Sequence, residues 1–132
     1  MTVFVCLDDN NGMLFNNRRQ SRDSKVIEQI LAISNGKNLY MDSYSSKLFE
    51  GNNVIADDNF LEKMTDEDFC FVEKSNLKEY DEKINELIIF RWNKKYPFDK
   101  QLDINFEERK LKDSYDFEGT SHEKITCEVW VR

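Results

Sequence analysis

Apolar residues in this chain gather into short runs separated by polar turns, and most runs have the length of a strand. The first run, Val3-Phe-Val-Cys-Leu7 within 2–7, is continuous and rich in valine, the pattern of a strand covered on both faces. Asp8-Asp-Asn-Asn-Gly12 follows, and its Asn11-Gly12 pair tolerates the positive φ of a sharp turn. In α/β proteins a ligand cleft opens beyond the carboxyl ends of such strands, so this segment is the natural organising centre. Met13-Leu-Phe15 and a strongly polar stretch from Asn16 to Asp23 come next. Val26, Ile27, Ile30 and Leu31 then recur at helical spacing and predict a helix over about 23–32. Asp23 suits its N-cap or first turn, and Ser34-Asn-Gly36 its stop.

Further strands are predicted over 37–41, 53–56, 69–72 and 86–92, the last with a Leu-Ile-Ile-Phe centre that again reads as buried on both faces. Short helical segments fall between them. Asp42–Ser46 caps one running through Leu48 and Phe49, and 60–64 makes one or two turns. A polar helix over 77–84 carries Leu77, Tyr80 and Ile84 on one side. After Pro97, the only proline, the alternating segments 110–117 and 125–131 have no helix between them and read as an antiparallel hairpin closed by the loop 118–124. The expected fold class is therefore α/β, a three-layer α/β/α sandwich around a mixed, mostly parallel sheet that ends in that hairpin. No repeat, low-complexity tract or linker divides the chain, which predicts a single domain over residues 1–132.

Composition narrows the function classes. A chain of 132 residues is long enough for a core without metal or disulfide staples, and 13% aromatic residues argue against disorder despite 34% charged ones. The net charge of −7 makes free nucleic acid and anionic membrane poor partners at long range. Cys6, Cys70 and Cys127 lie far apart inside apolar runs, as reduced, buried thiols of a cytoplasmic protein would. No signal-peptide pattern opens the chain, and no apolar run is long enough to cross a bilayer. A single histidine, His122, cannot build the histidine–aspartate cluster of a metal-dependent hydrolase, so no metal site is expected. A P-loop and a G-x-S-x-G elbow are absent as well.

Taken in order, the elements resemble a shortened, divergent dihydrofolate reductase. The opening strand with Asp8-Asp-Asn-Asn-Gly-Met13 resembles that family's first strand and the loop after it, and Lys37-Asn-Leu-Tyr-Met41 its second strand. Thr120-Ser-His-Glu-Lys-Ile-Thr-Cys-Glu-Val-Trp130 is similar to its closing hairpin. The resemblance implies NADPH as a possible cofactor and places Asp23 where the family keeps its catalytic carboxylate. It also exposes departures. A glycine-arginine pair and a threonine that hold the cofactor phosphates are replaced by Asp42, Ser43, Tyr44 and Ser45. A glycine pair after the fourth apolar strand is replaced by Glu73-Lys-Ser-Asn76, and a supporting threonine by Phe90.

The candidate residues follow. Asp23 reads either as a proton relay in a cleft or as a helix N-cap. Arg18, Arg19 and Arg22 are the one concentrated positive charge and lie beside the expected cleft mouth, where guanidinium groups fork onto phosphate or carboxylate oxygens, or else sit in a solvated loop. His122 with its neighbours Ser121 and Glu123 does not make a catalytic triad, which requires convergence in space, and reads as a loop residue. Trp92 and Trp130 read as core or cleft-wall aromatics. Two functions remain open: a domain without standard reductase activity that binds a small anionic or aromatic ligand, nucleotide- or pterin-like, or a protein; and an NADPH-dependent reductase with Asp23 as its relay.

Overall fold

The computed structural model describes residues 1–132. Along the chain run β1 (Thr2–Leu7), β2 (Gly12–Phe15), β3 (Arg18–Arg19), α1 (Ser24–Ser34), β4 (Leu39–Met41), α2 (Ser43–Ser46) and β5 (Val54–Ala56). They are followed by β6 (Phe69–Phe71), β7 (Glu86–Arg91), β8 (Lys100–Gln101), β9 (Lys110–Phe117) and β10 (Ile125–Val131). Seven strands form one sheet in the order β5-β4-β6-β1-β7-β10-β9. β1 lies inside it, parallel to β6 on one side and to β7 on the other. β10 pairs antiparallel with both β7 and β9, so the C-terminal hairpin closes the sheet as the sequence pattern expects. The mixed, mostly parallel α/β architecture follows directly from these pairings.

The continuous apolar run of β1 is explained by its two covered faces. Val3, Val5 and Leu7 enter one core with Met1, Leu87 and Ile89, whereas Phe4 enters the other with Phe71, Phe90 and Trp92. Val26 and Ile30 of α1 seal the Phe4 face, one helical turn apart. Asp23 caps that helix, accepting from the Lys25 N–H at 3.0 Å, and Asn35 closes it in the left-handed conformation.

The opposite face is covered by loops, Met13 and Leu14 of β2, and three short 3₁₀ turns at Phe60–Glu62, Lys78–Lys83 and Phe106–Glu108. The polar helix expected over 77–84 is thus a 3₁₀ segment. Both of its ends are fixed: Asp103 accepts from the N–H groups of Leu77 and Lys78, and Leu77 and Ile84 are fully buried.

The polar stretch after Phe15 contains a structured turn. Asn16 and Asn17 both take positive φ, 51° and 59°, and pair β2 with β3 through Leu14↔Arg19 and Phe15↔Arg18. Two left-handed central residues are the requirement of a type I′ hairpin turn, and asparagine tolerates them. Behind it, the buried Asp8 carboxylate ties its own turn to the segment after β7 by accepting from the N–H groups of Asn10, Gly12 and Tyr96. A Cβ on Gly12 would lie 2.9 Å from Asp8 Oδ1 and 2.8 Å from Phe98 Cβ, so this approach requires glycine.

Candidate functional site

Asp23 and His122, 99 residues apart in sequence, meet beside the N-terminus of α1. The Asp23 carboxylate is fully buried. Oδ1 accepts from the Lys25 and Thr120 N–H groups, and Oδ2 from the Ser121 N–H at 2.8 Å and from His122 Nδ1 at 3.0 Å. Burial alone would raise its pKa. The donors from Thr120, His122, Ser121 and Lys25 outweigh burial and hold the carboxyl well below the usual carboxylate range. Asp23 therefore stays ionised at neutral pH.

Because an ionised carboxylate only accepts, the Nδ1 of His122 carries a proton, and in the neutral ring this leaves the lone pair on Nε2. Two hydroxyls meet that lone pair, Ser21 Oγ at 3.0 Å and Tyr96 Oη at 3.1 Å. Trp92 stacks on the imidazole with ring centroids 4.6 Å apart and planes 22° from parallel, fixing its orientation. Trp130 instead packs on Phe106 in the core. His122 is thus the hinge of a buried polar array, not a free loop residue. The sequence held no spacing signal for Ser21 or Tyr96, because the array assembles only when the C-terminal hairpin folds onto the α1 N-terminus.

A second network fills the region beyond β4 and β6, where the resemblance puts the cofactor phosphates. The Glu73 carboxylate, nearly buried, accepts from Arg19 Nε at 2.9 Å and Nη2 at 3.1 Å, and from Ser45 Oγ at 2.7 Å. Tyr44 lies beneath two cations, with the Arg19 guanidinium 4.2 Å and the Lys74 ammonium 3.8 Å from its ring centre. Asp42 is spent on α2, accepting from the Ser45 N–H at 2.7 Å. Toward the α1 side, Cys6, Asp23, Phe71, Glu73 and Trp92 surround a void of only about 10 Å³. These residues do not fit a dinucleotide. A carboxylate already holds the arginine fork, and no glycine opens the backbone for a pyrophosphate.

The three arginines are placed differently from one another. Arg19 is neutralised by Glu73. Arg18 is exposed on the β2–β3 hairpin and lines an open cleft of about 440 Å³ with Phe15, Gln20, Tyr96 and Pro97. Within that region the Gln20 Oε1 atom is buried without a hydrogen-bond partner. Arg22, also exposed, borders a separate depression with Leu48, Thr120 and Ser121. Burial pushes the Cys6 thiol well above its ordinary value, Glu73 adding to the effect, so Cys6 is an inert neighbour of these groups. No grouping of histidine, cysteine, aspartate and glutamate suited to a metal ion is present. No helix is long and apolar enough to cross a membrane.

Comparison with known proteins gives a structural answer and no sequence answer. No family model matches the chain, and no curated protein matches it. Among solved structures, it superposes on the dihydrofolate reductase from Enterococcus faecalis complexed with NADP(H) and RAB-propyl with a TM-score of 0.72. The superposition covers 99% of this chain and 95% of that one at 7% sequence identity. At that identity what is shared is the backbone course alone. The chain has the fold of dihydrofolate reductase.

Proposed function

We propose that this domain keeps the dihydrofolate reductase scaffold without its reductase chemistry, and binds a small anionic, aromatic ligand in the cleft beside Arg18. The observation that carries this reading is the Glu73 carboxylate, held by Arg19 and Ser45 where a cofactor phosphate would lie. An internal anion on the arginine fork competes with any external one, and Coulomb repulsion adds to the loss. Arg18 remains an unpaired cation at the wall of the 440 Å³ cleft, with the half-exposed Phe15 ring and Tyr96 beside it for a flat ligand. The alternative, an NADPH-dependent reductase with Asp23 as proton relay, requires a carboxyl that takes up and gives back a proton near neutral pH. Four donors hold Asp23 ionised, which favours the binding reading.

Thermal-shift screening with nucleotides, pterins and folates tests it, because a ligand selective for the folded state raises the melting midpoint. A hit is expected to weaken about ten- to a hundredfold with Arg18→Ala, the cost of one charge-assisted hydrogen bond, while the melting temperature of the unliganded protein stays unchanged. Equal affinity of the variant would remove the cleft from consideration.

A further inference from the structure

Ser21, His122 and Asp23 stand in the linear order of a nucleophile, its base and the group that orients the base. Ser21 Oγ lies 3.0 Å from His122 Nε2, and His122 Nδ1 lies 3.0 Å from Asp23 Oδ2. The carboxylate is fully buried and pinned by backbone N–H groups of Lys25, Thr120 and Ser121, so neither the tautomer nor the ring direction is free to drift. Trp92 holds the ring plane. Ser21 itself is only half-buried, on the segment that leads from the Arg18 hairpin to α1. A structural role for the array would be met by any hydrogen-bonded trio, yet here the single lone pair of Nε2 faces two hydroxyls, those of Ser21 and Tyr96.

We propose that Ser21 is an activated nucleophile and that this site carries out acyl transfer on small carboxylic esters. In the first step Ser21 Oγ adds to the ester carbonyl while Nε2 takes the hydroxyl proton. Collapse of the tetrahedral adduct breaks the bond to the alkoxy oxygen, which leaves as an alcohol with the proton from Nε2. Water then adds to the acyl-serine through the same base, releasing the carboxylic acid and restoring Ser21, so one ester and one water give one acid and one alcohol. Asp23 acts as a positioning residue that also stabilises the transient imidazolium. Tyr96 competes with Ser21 for Nε2 and restrains its activation. This inference shares Tyr96 with the ligand cleft proposed above, but its readout at Ser21 succeeds or fails with no ligand in that cleft.

The test is labelling of the intact protein with an alkyl fluorophosphonate, in which the serine oxygen displaces fluoride from phosphorus, with the adduct located by peptide mass spectrometry. A single adduct on Ser21 is expected, absent in Ser21→Ala and retained in Ser24→Ala. His122→Gln is expected to slow labelling about a hundredfold or more, the range of a lost general base. Since that variant also breaks the pair with Asp23, Tyr96→Phe serves as the second variant. It leaves the ring in place and gives Ser21 sole claim on Nε2, so labelling is expected to accelerate at least about twofold. No adduct on Ser21, a rate on Ser21 indifferent to His122→Gln, or no acceleration with Tyr96→Phe would each overturn the proposal.

Discussion

Gly119 shows how tightly the residues around Asp23 are enclosed. A Cβ there would lie 2.5 Å from Asp23 Oδ2, 2.8 Å from Ile125 Cδ1 and 2.9 Å from the His122 carbonyl oxygen. Gly119→Ala is expected to destabilise the protein by about 1–3 kcal/mol, the usual cost of overpacking, in urea unfolding. A loss below half a kcal/mol would show that the loop yields freely. The same enclosure fixes a pH dependence. The folded-state pKa of Asp23 is depressed, so its contribution is fully present above the unfolded value of about 4 and is lost as pH falls toward the folded value. The acid limb of the stability curve should therefore flatten in Asp23→Asn, and unchanged curvature would contradict this. At this scale the sequence was half legible. Asp23 announced itself as a helix cap by its place before an amphipathic run, whereas its pairing with His122 and the grip of Glu73 on Arg19 join residues 99 and 54 positions apart. Local pattern carries no trace of such contacts.

Among the elements, strands were read best, because parallel strands buried on both faces leave unbroken apolar runs such as Val3–Leu7 and Leu87–Phe90. The β2–β3 hairpin escaped that reading since β3 is only Arg18–Arg19 and has no apolar residue. Its signal was the Asn16-Asn17 pair, whose tolerance of positive φ is a hairpin cue even between polar neighbours. Replacing both asparagines by alanine should cost about 1–2 kcal/mol, since alanine pays the left-handed penalty that asparagine eases. Asn17→Gly should be neutral or slightly stabilising in the same urea titration. If the double alanine variant matches the unaltered protein, the turn does not hold the hairpin. The 3₁₀ segment Lys78–Lys83 marks another limit of pattern reading: apolar spacing finds the turn but does not separate 3₁₀ from α.

For the whole molecule, the sheet sets both the stability profile and the fate of the cleft. β1 and β7 have neighbours on both sides and buried residues on both faces, whereas β9 is an edge strand exposed along nearly its full length. Hydrogen exchange should accordingly be slowest in β1 and β7 and fast in β9; equal protection of β9 would mean that this edge is covered in solution. The same scaffold that positions a cofactor in dihydrofolate reductase here carries its own anion, Glu73, against Arg19, with little space between Asp23 and Phe71. Calorimetric titration with NADPH, followed by a dihydrofolate turnover assay on the same sample near neutral pH, tests that claim most directly. The expected result is no saturable binding in the micromolar range and no dihydrofolate-dependent oxidation of the cofactor. Micromolar binding together with turnover that disappears in Asp23→Asn would contradict it and make the protein a reductase.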